Sequence, residues 1–445
     1  MSIQSLNFFL QEFVGGPIMI AAVLLTGCFL TLRLNWLQVR HFSTMLRDTI
    51  FGLRRQKNTG IGEISAFQAL TTALAGTIGT GNIAGVATAI TLGGPGAVFW
   101  MWVSAFVGMV TKYAEVVLAV HFRDTQPTGR VVGGPMYFLA KGLNSRLLAA
   151  LFALFGSLAA FGIGNMVQAN SVAAALHEAF NVPQLITGIV MAAITALVII
   201  GGISRVAAFT EKLVPLMAAF YTAGALFIIF LNLAQVPLAF SQIIGNAFTG
   251  RAAVGGFAGA TVLQTFRFGV ARGIFTNEAG LGSASIAHAA ARTDHPARQG
   301  LWGMFEVFFD THISCTLTAL AVLVTGVWNT GLDGAAMTTA AFNQALPSWG
   351  GYFVAVSLVI FAFSTLISWS YYGEKCFEYF VSTRATLFYR LLWIALIPIG
   401  AVGGLHVVWA LADTLNGLMA IPNLIGLWGL NGLIVKLTRE FFQKR

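Results

Sequence analysis

The stretch AGTIGTGNIAG at residues 75–85, with its counterpart GVARGIFTNEAGLG at residues 269–282, decides how this chain folds. Each lies inside an apolar run long enough to cross a bilayer, yet each is crowded with glycine, threonine and asparagine, and the second carries Glu278. A glycine inside a helix costs about 1 kcal/mol relative to alanine. Backbone groups freed within a bilayer are tolerated only where protein buries them or they line an aqueous cavity. Both stretches therefore read as helix interruptions. The competing reading is close helix packing through small residues.

The rest of the chain sets these stretches in a membrane. Of 445 residues, 57% are hydrophobic and 9% charged, with a mean hydropathy of +0.79. Soluble proteins carry about 25% charged residues, so a wetted globular enzyme is excluded, and disorder is excluded by the apolar content. Apolar runs bounded by charges and turn residues predict eleven spans, near 14–32, 65–91, 95–121, 147–176, 184–203, 208–231, 260–290, 300–327, 350–379, 386–404 and 407–434. The N-terminal MSIQSLNFFLQEF lacks the basic region and small-residue cleavage site of a signal peptide, so the first run is expected to remain as a span.

Eleven spans sort the charge. Arg33, Arg40, Arg47, Arg54, Arg55 and Lys57 follow the first segment, and Arg123, Arg130, Lys141 and Arg146 follow the third. Arg205, Lys212, Arg292, Arg298, Lys375, Arg384, Arg390 and the basic tail fall on the same side, whereas Arg251 stands alone on the other. The positive-inside rule makes the basic side cytoplasmic, with the N-terminus outside and the C-terminus inside. The net charge of +9 is then a topology signal and calls for no nucleic acid. Two connections are predicted to hold short helices, residues 129–145 on the basic side and 232–259 on the other. Cys28, Cys315 and Cys376 have neither disulfide nor zinc spacing.

The interrupted segments are the second and the seventh, the first members of two successive five-helix units. Five is odd, so the units have opposite orientation, and breaks at corresponding positions of inverted repeats point to a transporter's substrate site. At such a break, the N-terminus of one half-helix suits a carboxylate and the carbonyls of the other suit a cation. An amino-acid zwitterion carries both charges.

Longer blocks add a resemblance. GTIGTGNIAGVATAITLGGPGAVFWMW (76–102), VVGGPMYFL (131–139), GIFTNEAGLGSASIAHAAART (273–293) and HPARQGLWGMFEVFFDT (295–311) resemble the amino acid carrier family of sodium:alanine symporters, within the amino acid–polyamine–organocation superfamily. The resemblance implies an all-α polytopic membrane protein with the leucine-transporter-type inverted 5+5 fold. One extra N-terminal helix (14–32) precedes the repeats 65–231 and 260–434. It implies uptake of small neutral amino acids, alanine and glycine above all, with sodium as the coupling ion; some relatives carry glutamine or use protons. By similarity, Gly79, Thr80, Gly81 and Asn82 hold the substrate carboxylate, and Gly273, Phe275, Thr276 and Asn277 face the amino group and side chain. Sodium falls to the carbonyls of Ala75, Ile78 and Phe361 and the hydroxyls of Ser364 and Thr365. That hydroxyl pair could equally bond its own preceding turn. Gln168 and Trp369 are candidates for the pocket wall by segment position; a helix contact and a core-filling role are their alternatives.

Several ionisable residues lie at membrane depth. Lys112 and Glu115, at i and i+3, read as an ion pair. Glu306 and Asp310 read either as a proton relay or as an inner gate pairing with Arg292 or Arg298. Glu278 follows the second interruption, and Arg267 and Arg272 precede its end, while Asp413 shows no partner in the sequence. An intramembrane enzyme would need HExxH, GxSxG or facing aspartates, and the chain has none. A channel would show a repeated filter or charged rings, where this chain has single, asymmetric breaks. No cofactor is implied, and nothing calls for a protein partner; the bacterial cytoplasmic membrane is the expected location.

Overall fold

A computed structural model describes residues 16–55, 60–126, 129–249, 261–381, 385–403 and 406–443. Helices run almost end to end: α1 (Pro17–Arg33), α2 (Ala66–Thr77), α3 (Val86–Gly93), α4 (Ala97–His121), α5 (Pro135–Lys141), α6 (Arg146–Ala159) and α7 (Val167–Phe180). They continue as α8 (Gln184–Ile199), α9 (Ile203–Leu231), α10 (Val236–Thr249), α11 (Val262–Asn277), α12 (Ser285–Ala289), α13 (Pro296–Val307) and α14 (Thr316–Val324). The last are α15 (Gly334–Ala345), α16 (Gly350–Glu378), α17 (Thr386–Val402), α18 (His406–Gly429) and α19 (Asn431–Gln443). Among the described residues the only strands are Asp124–Thr125 and Val131–Val132, a small antiparallel hairpin.

Among the described residues, five continuous helices are long and apolar enough to span a membrane, and two bent pairs raise that to seven; α1, α8 and α17 are shorter apolar helices. Leucine, isoleucine and phenylalanine side chains on α8, α9 and α17 face outward, as lipid-facing positions require. The central helix is α4, whose apolar window is 83% buried against 33% for α9. It packs on α1, α11 and α13.

The first interruption falls where the sequence places it. Between α2 and α3 the chain bends by 55°, Ile78 turns extended and Gly81–Gly85 winds as a π-helix. The second falls later than the glycines suggest. Helix α11 stays regular through Asn277, and the break is made by Glu278, Gly280 and Gly282, all at positive φ. Gly269 and Gly273 serve packing instead: a Cβ at Gly269 would lie 2.3 Å from the Ala97 carbonyl oxygen, and one at Gly273 would lie 2.2 Å from Ser104 Oγ. The small-residue reading thus holds for these two glycines, and the interruption reading for the residues after them.

Both interrupted helices open on the same device. Ser65 caps Gln68 N while Gln68 returns a bond to Ser65 N, and Thr261 with Gln264 does likewise. Two further π-helical stretches, Ala160–Met166 and Phe308–Cys315, lie beside the breaks. The expected interfacial helix within 232–259 is α10, with residues 250–260 outside the described residues, and the expected basic-side helix is α5. The eleventh segment is cut short at Gly429, where α18 bends 62° into the amphipathic α19. Helix α15 is additional; its Ala- and Thr-rich sequence has too little apolar length to register as a span.

These contacts set up a paired test. Gly269→Ala should destabilise the protein by about 1–3 kcal/mol, because the added methyl meets backbone that cannot rotate away. Gly85→Ala, with nothing within 4 Å of the new methyl, should leave the thermal unfolding midpoint in detergent unchanged or higher.

Candidate functional site

The α2 break sits against α16. Ser364 Oγ lies 3.3 Å from the Ala75 carbonyl oxygen and 2.8 Å from that of Phe361, and Thr365 Oγ1 lies 3.1 Å from the latter. A methyl on Gly79 would come within 2.7 Å of Thr365 Oγ1, so glycine is required for this approach. Ile78, with φ −75° and ψ 93°, leaves the helical conformation one residue before Gly79. Ala75, Phe361, Ser364 and Thr365 thus meet between the two helices, with both hydroxyls also bonding their own preceding turn. Carbonyls and hydroxyls are hard oxygen donors, the kind that alkali and alkaline-earth cations take.

A small buried cavity adjoins this cluster, lined by Gly79, Thr80, Gly81, Gln168, Phe275, Thr276, Glu278, Thr365 and Trp369 among others. Trp369 is held on two sides. Its ring backs onto Gly164, where a Cβ would lie 2.2 Å from Trp369 Cβ, and its Nε1 donates to Glu278 Oε1 at 3.0 Å. Gln168 Nε2 donates to the Ile163 carbonyl at 3.0 Å, and its buried Oε1 has no hydrogen-bond partner among the described residues. The first interruption touches the last turn of α11 here, since a methyl on Gly81 would meet Thr276 Cγ2 at 2.8 Å. Above Thr80, Gly81 and Phe275 opens a cavity of about 740 Å³, reaching the surface past Glu178, Asn343 and Tyr352.

Three residues expected at the substrate face elsewhere. Gly273 packs on α4. Asn82 accepts from Gly79 N (3.0 Å) and donates to Asp310 Oδ1 (2.8 Å), and Asn277 accepts from Ala279 N (3.0 Å) and donates to Thr311 Oγ1 (3.1 Å). None of the three lines the small cavity.

The buried charges are arranged differently from the sequence expectation. Lys112 and Glu115 do not pair with each other. Lys112 Nζ lies 3.5 Å from Glu306 Oε1 and donates to the Glu278 carbonyl, while Glu115 Oε1 accepts from Gly280 N, Gly282 N and Asn423 Nδ2. Glu306 also bonds His288 Nε2 at 2.9 Å, whose other ring nitrogen meets Gln299. Glu306 and Asp310 therefore form no gate with Arg292 or Arg298; Arg298 pairs with Asp294, and Arg292 donates to the Gly62 and Glu63 carbonyls. Both carboxylates are fully buried, on the enclosed faces of α13 and of the π-helical turn after it. Asp413 interacts electrostatically with Arg272, a partner on another helix that no local pattern announces.

The basic side of the bundle is closed by other groups. Arg390 grips Glu374 through two bonds of 2.6 and 2.9 Å, Lys375 and Gln126 meet Glu378, and Arg123 donates to the Ala289 and Ala291 carbonyls. Lys112→Met should leave Glu306 short of its cation and cost about 3–5 kcal/mol, the penalty of a broken buried pair. The check is the thermal midpoint, with Lys112→Met/Glu306→Gln recovering part of the loss.

Comparison with known proteins agrees with this architecture. The sequence profile of the sodium:alanine symporter family matches residues 1–445. The chain is 50% identical over 443 residues to the sodium/alanine symporter AgcS of Methanococcus maripaludis, covering 98% of this chain and 96% of that one. It is 39% identical to the probable sodium/glutamine symporter GlnT of Bacillus subtilis, over 98% and 90% of the two chains. Among solved structures it resembles MhsT in complex with L-phenylalanine, with a TM-score of 0.59 at 14% identity, covering 85% of this chain and 96% of that one. At that identity the likeness shows the fold alone. The chain is a multi-pass membrane transporter, not an enzyme, and it belongs to the sodium:alanine symporter family.

Proposed function

We propose that the protein imports small neutral amino acids, alanine and glycine foremost, by symport with sodium through alternating access. The observation that carries this reading is the shared wall between the oxygen cluster and the small cavity: Thr365 belongs to both, and Gly79, which packs against its hydroxyl, lines the cavity. Sodium bound by the Ala75, Ile78 and Phe361 carbonyls and the Ser364 and Thr365 hydroxyls fixes the unwound backbone at Ile78–Thr80. The substrate carboxylate then meets the freed amides of Thr80 and Gly81 at the start of the following half-helix, Gly79 N being held by Asn82 Oδ1. Gln168 Oε1, buried and unpartnered, accepts from the ammonium group. Trp369 and Phe275 wall the side chain and favour small substrates. The cavity, at about 20 Å³, holds roughly one water. Alanine therefore seats as the Phe275 ring, which lines both cavities, gives way.

The same reading takes all eleven segments as spans, with an N-terminal helix before two inverted five-helix units, residues 65–231 and 260–434. The matching capping boxes at Ser65 and Thr261 support it, as does the MhsT likeness. The N-terminus lies outside and the C-terminus in the cytoplasm, in the bacterial inner membrane, by the charge asymmetry. The cavity of about 740 Å³ then opens outward, and the Arg390–Glu374 and Arg123 contacts close the cytoplasmic side. The membrane potential adds about 2.3 kcal/mol per charge per 100 mV to inward sodium movement.

Uptake of radiolabelled alanine, glycine and glutamine into proteoliposomes tests the proposal. A sodium gradient should drive alanine and glycine, and a proton gradient alone should drive none. Glutamine uptake exceeding that of alanine, or transport indifferent to sodium, overturns it. Thr365→Ala should raise the sodium concentration for half-maximal uptake by about tenfold, the loss of one hydroxyl bond to a charged group.

A further inference from the structure

The two interruptions are joined by one hydrogen-bonded chain that avoids the cavity. Every donor in it is fixed by chemistry. A backbone N–H only donates, so Asn82 must turn Oδ1 to Gly79 N and Asn277 must turn Oδ1 to Ala279 N. Both side-chain NH2 groups are then directed the other way. Asn82 Nδ2 reaches Asp310 Oδ1 at 2.8 Å, and Asn277 Nδ2 reaches Thr311 Oγ1 at 3.1 Å. With that lone pair taken, the Thr311 hydroxyl donates to Asp310 Oδ2 at 2.8 Å. All bonds run downhill to one acceptor, the Asp310 carboxylate, which when ionised offers only lone pairs. Asp310, Thr311, Asn82 and Asn277 are all almost fully buried.

Helix geometry makes the arrangement possible. Successive residues of an α-helix point about 100° apart, whereas Asp310 and Thr311 lie in the π-helical stretch Phe308–Cys315, where both turn inward. We infer that Asp310 is a positioning residue: it latches the unwound backbone at Gly79 to that at Ala279, so that the two interruptions order as one unit when substrate binds. The inference rests on the placement of the substrate between those interruptions. The carboxylate itself does not touch the amino acid.

The test is a double-mutant cycle on the full-length protein, reading the alanine Kd by calorimetry in saturating sodium chloride. Asn82→Ala and Asn277→Ala should each weaken binding about tenfold, and the double variant should weaken it by about the same tenfold, because either change already opens the chain. A double variant weakened about a hundredfold shows two independent anchors and overturns the latch. Thr311 gives a second route should the asparagine variants fail to fold. Thr311→Val, which removes both bonds, should weaken alanine about tenfold, and Thr311→Ser, which keeps both, should restore affinity to within about twofold. Equal affinities for Val and Ser overturn the latch. Gln168→Leu is measured in parallel: unchanged alanine affinity there rejects the substrate placement, whereas additivity in the cycle with a damaged Gln168 variant rejects the latch alone.

Discussion

An unwound helix in hydrocarbon must find a protein partner for each backbone group it frees, since water is absent and an unmet group costs several kcal/mol. This constraint explains the polar content of the core better than any single residue role. The Gly79 amide is met by Asn82, the amides of Gly280 and Gly282 by Glu115, the Glu278 carbonyl by Lys112 and the Gly280 carbonyl by Asn423. Lys112 and Glu115, which read as an ion pair in the sequence, are thereby spent on holding broken backbone. What is left unmet gains meaning by contrast, and Gln168 Oε1 faces the cavity with no such duty.

The two sides of the bundle then divide their labour. On one side charged side chains in pairs and backbone bonds close the packed helices, and on the other a wide opening descends to Phe275 and Thr80. The proposed site occupies the floor between them, where α2, α11, α16 and the π-helical stretches meet. Its walls are defined by side chains packed directly on backbone, and glycine is the residue that permits such approaches, as at Gly79 against Thr365 and Gly164 against Trp369.

How far the sequence reveals this depends on the range of the interaction. Interruptions, caps and apolar runs are local, so residues 75–85 and the Ser364–Thr365 pair announce themselves, and the helices fall near the segments read from hydropathy. Contacts between distant helices carry no local signature. The spacing of Lys112 and Glu115 suggests a pair, yet tertiary packing gives the lysine to Glu306 and the carboxylate to the second interruption. Asn82 and Asn277 are matched to the substrate by the resemblance; only the fold reveals that the amide of Asn82 turns toward Asp310 and that of Asn277 toward Thr311. The Ser-x-x-Gln and Thr-x-x-Gln pairs at 65–68 and 261–264, which the hydropathy reading passes over, are a local signal of where both interrupted helices start.

The three π-helical stretches carry a consequence for how the chain tolerates change in length. Such a stretch winds one more residue per turn than the helix around it. Losing a single residue from Phe308–Cys315 would return that helix to regular winding: the flanks would keep nearly their phase, because the wide turn absorbs the extra residue, while the residues within the stretch would be re-aimed. Asp310 and Thr311 would no longer face the same way, though no side chain had been altered. Residue number, as much as residue type, is therefore a property of the site, and this core is one where substitutions are survivable at positions that could never be deleted.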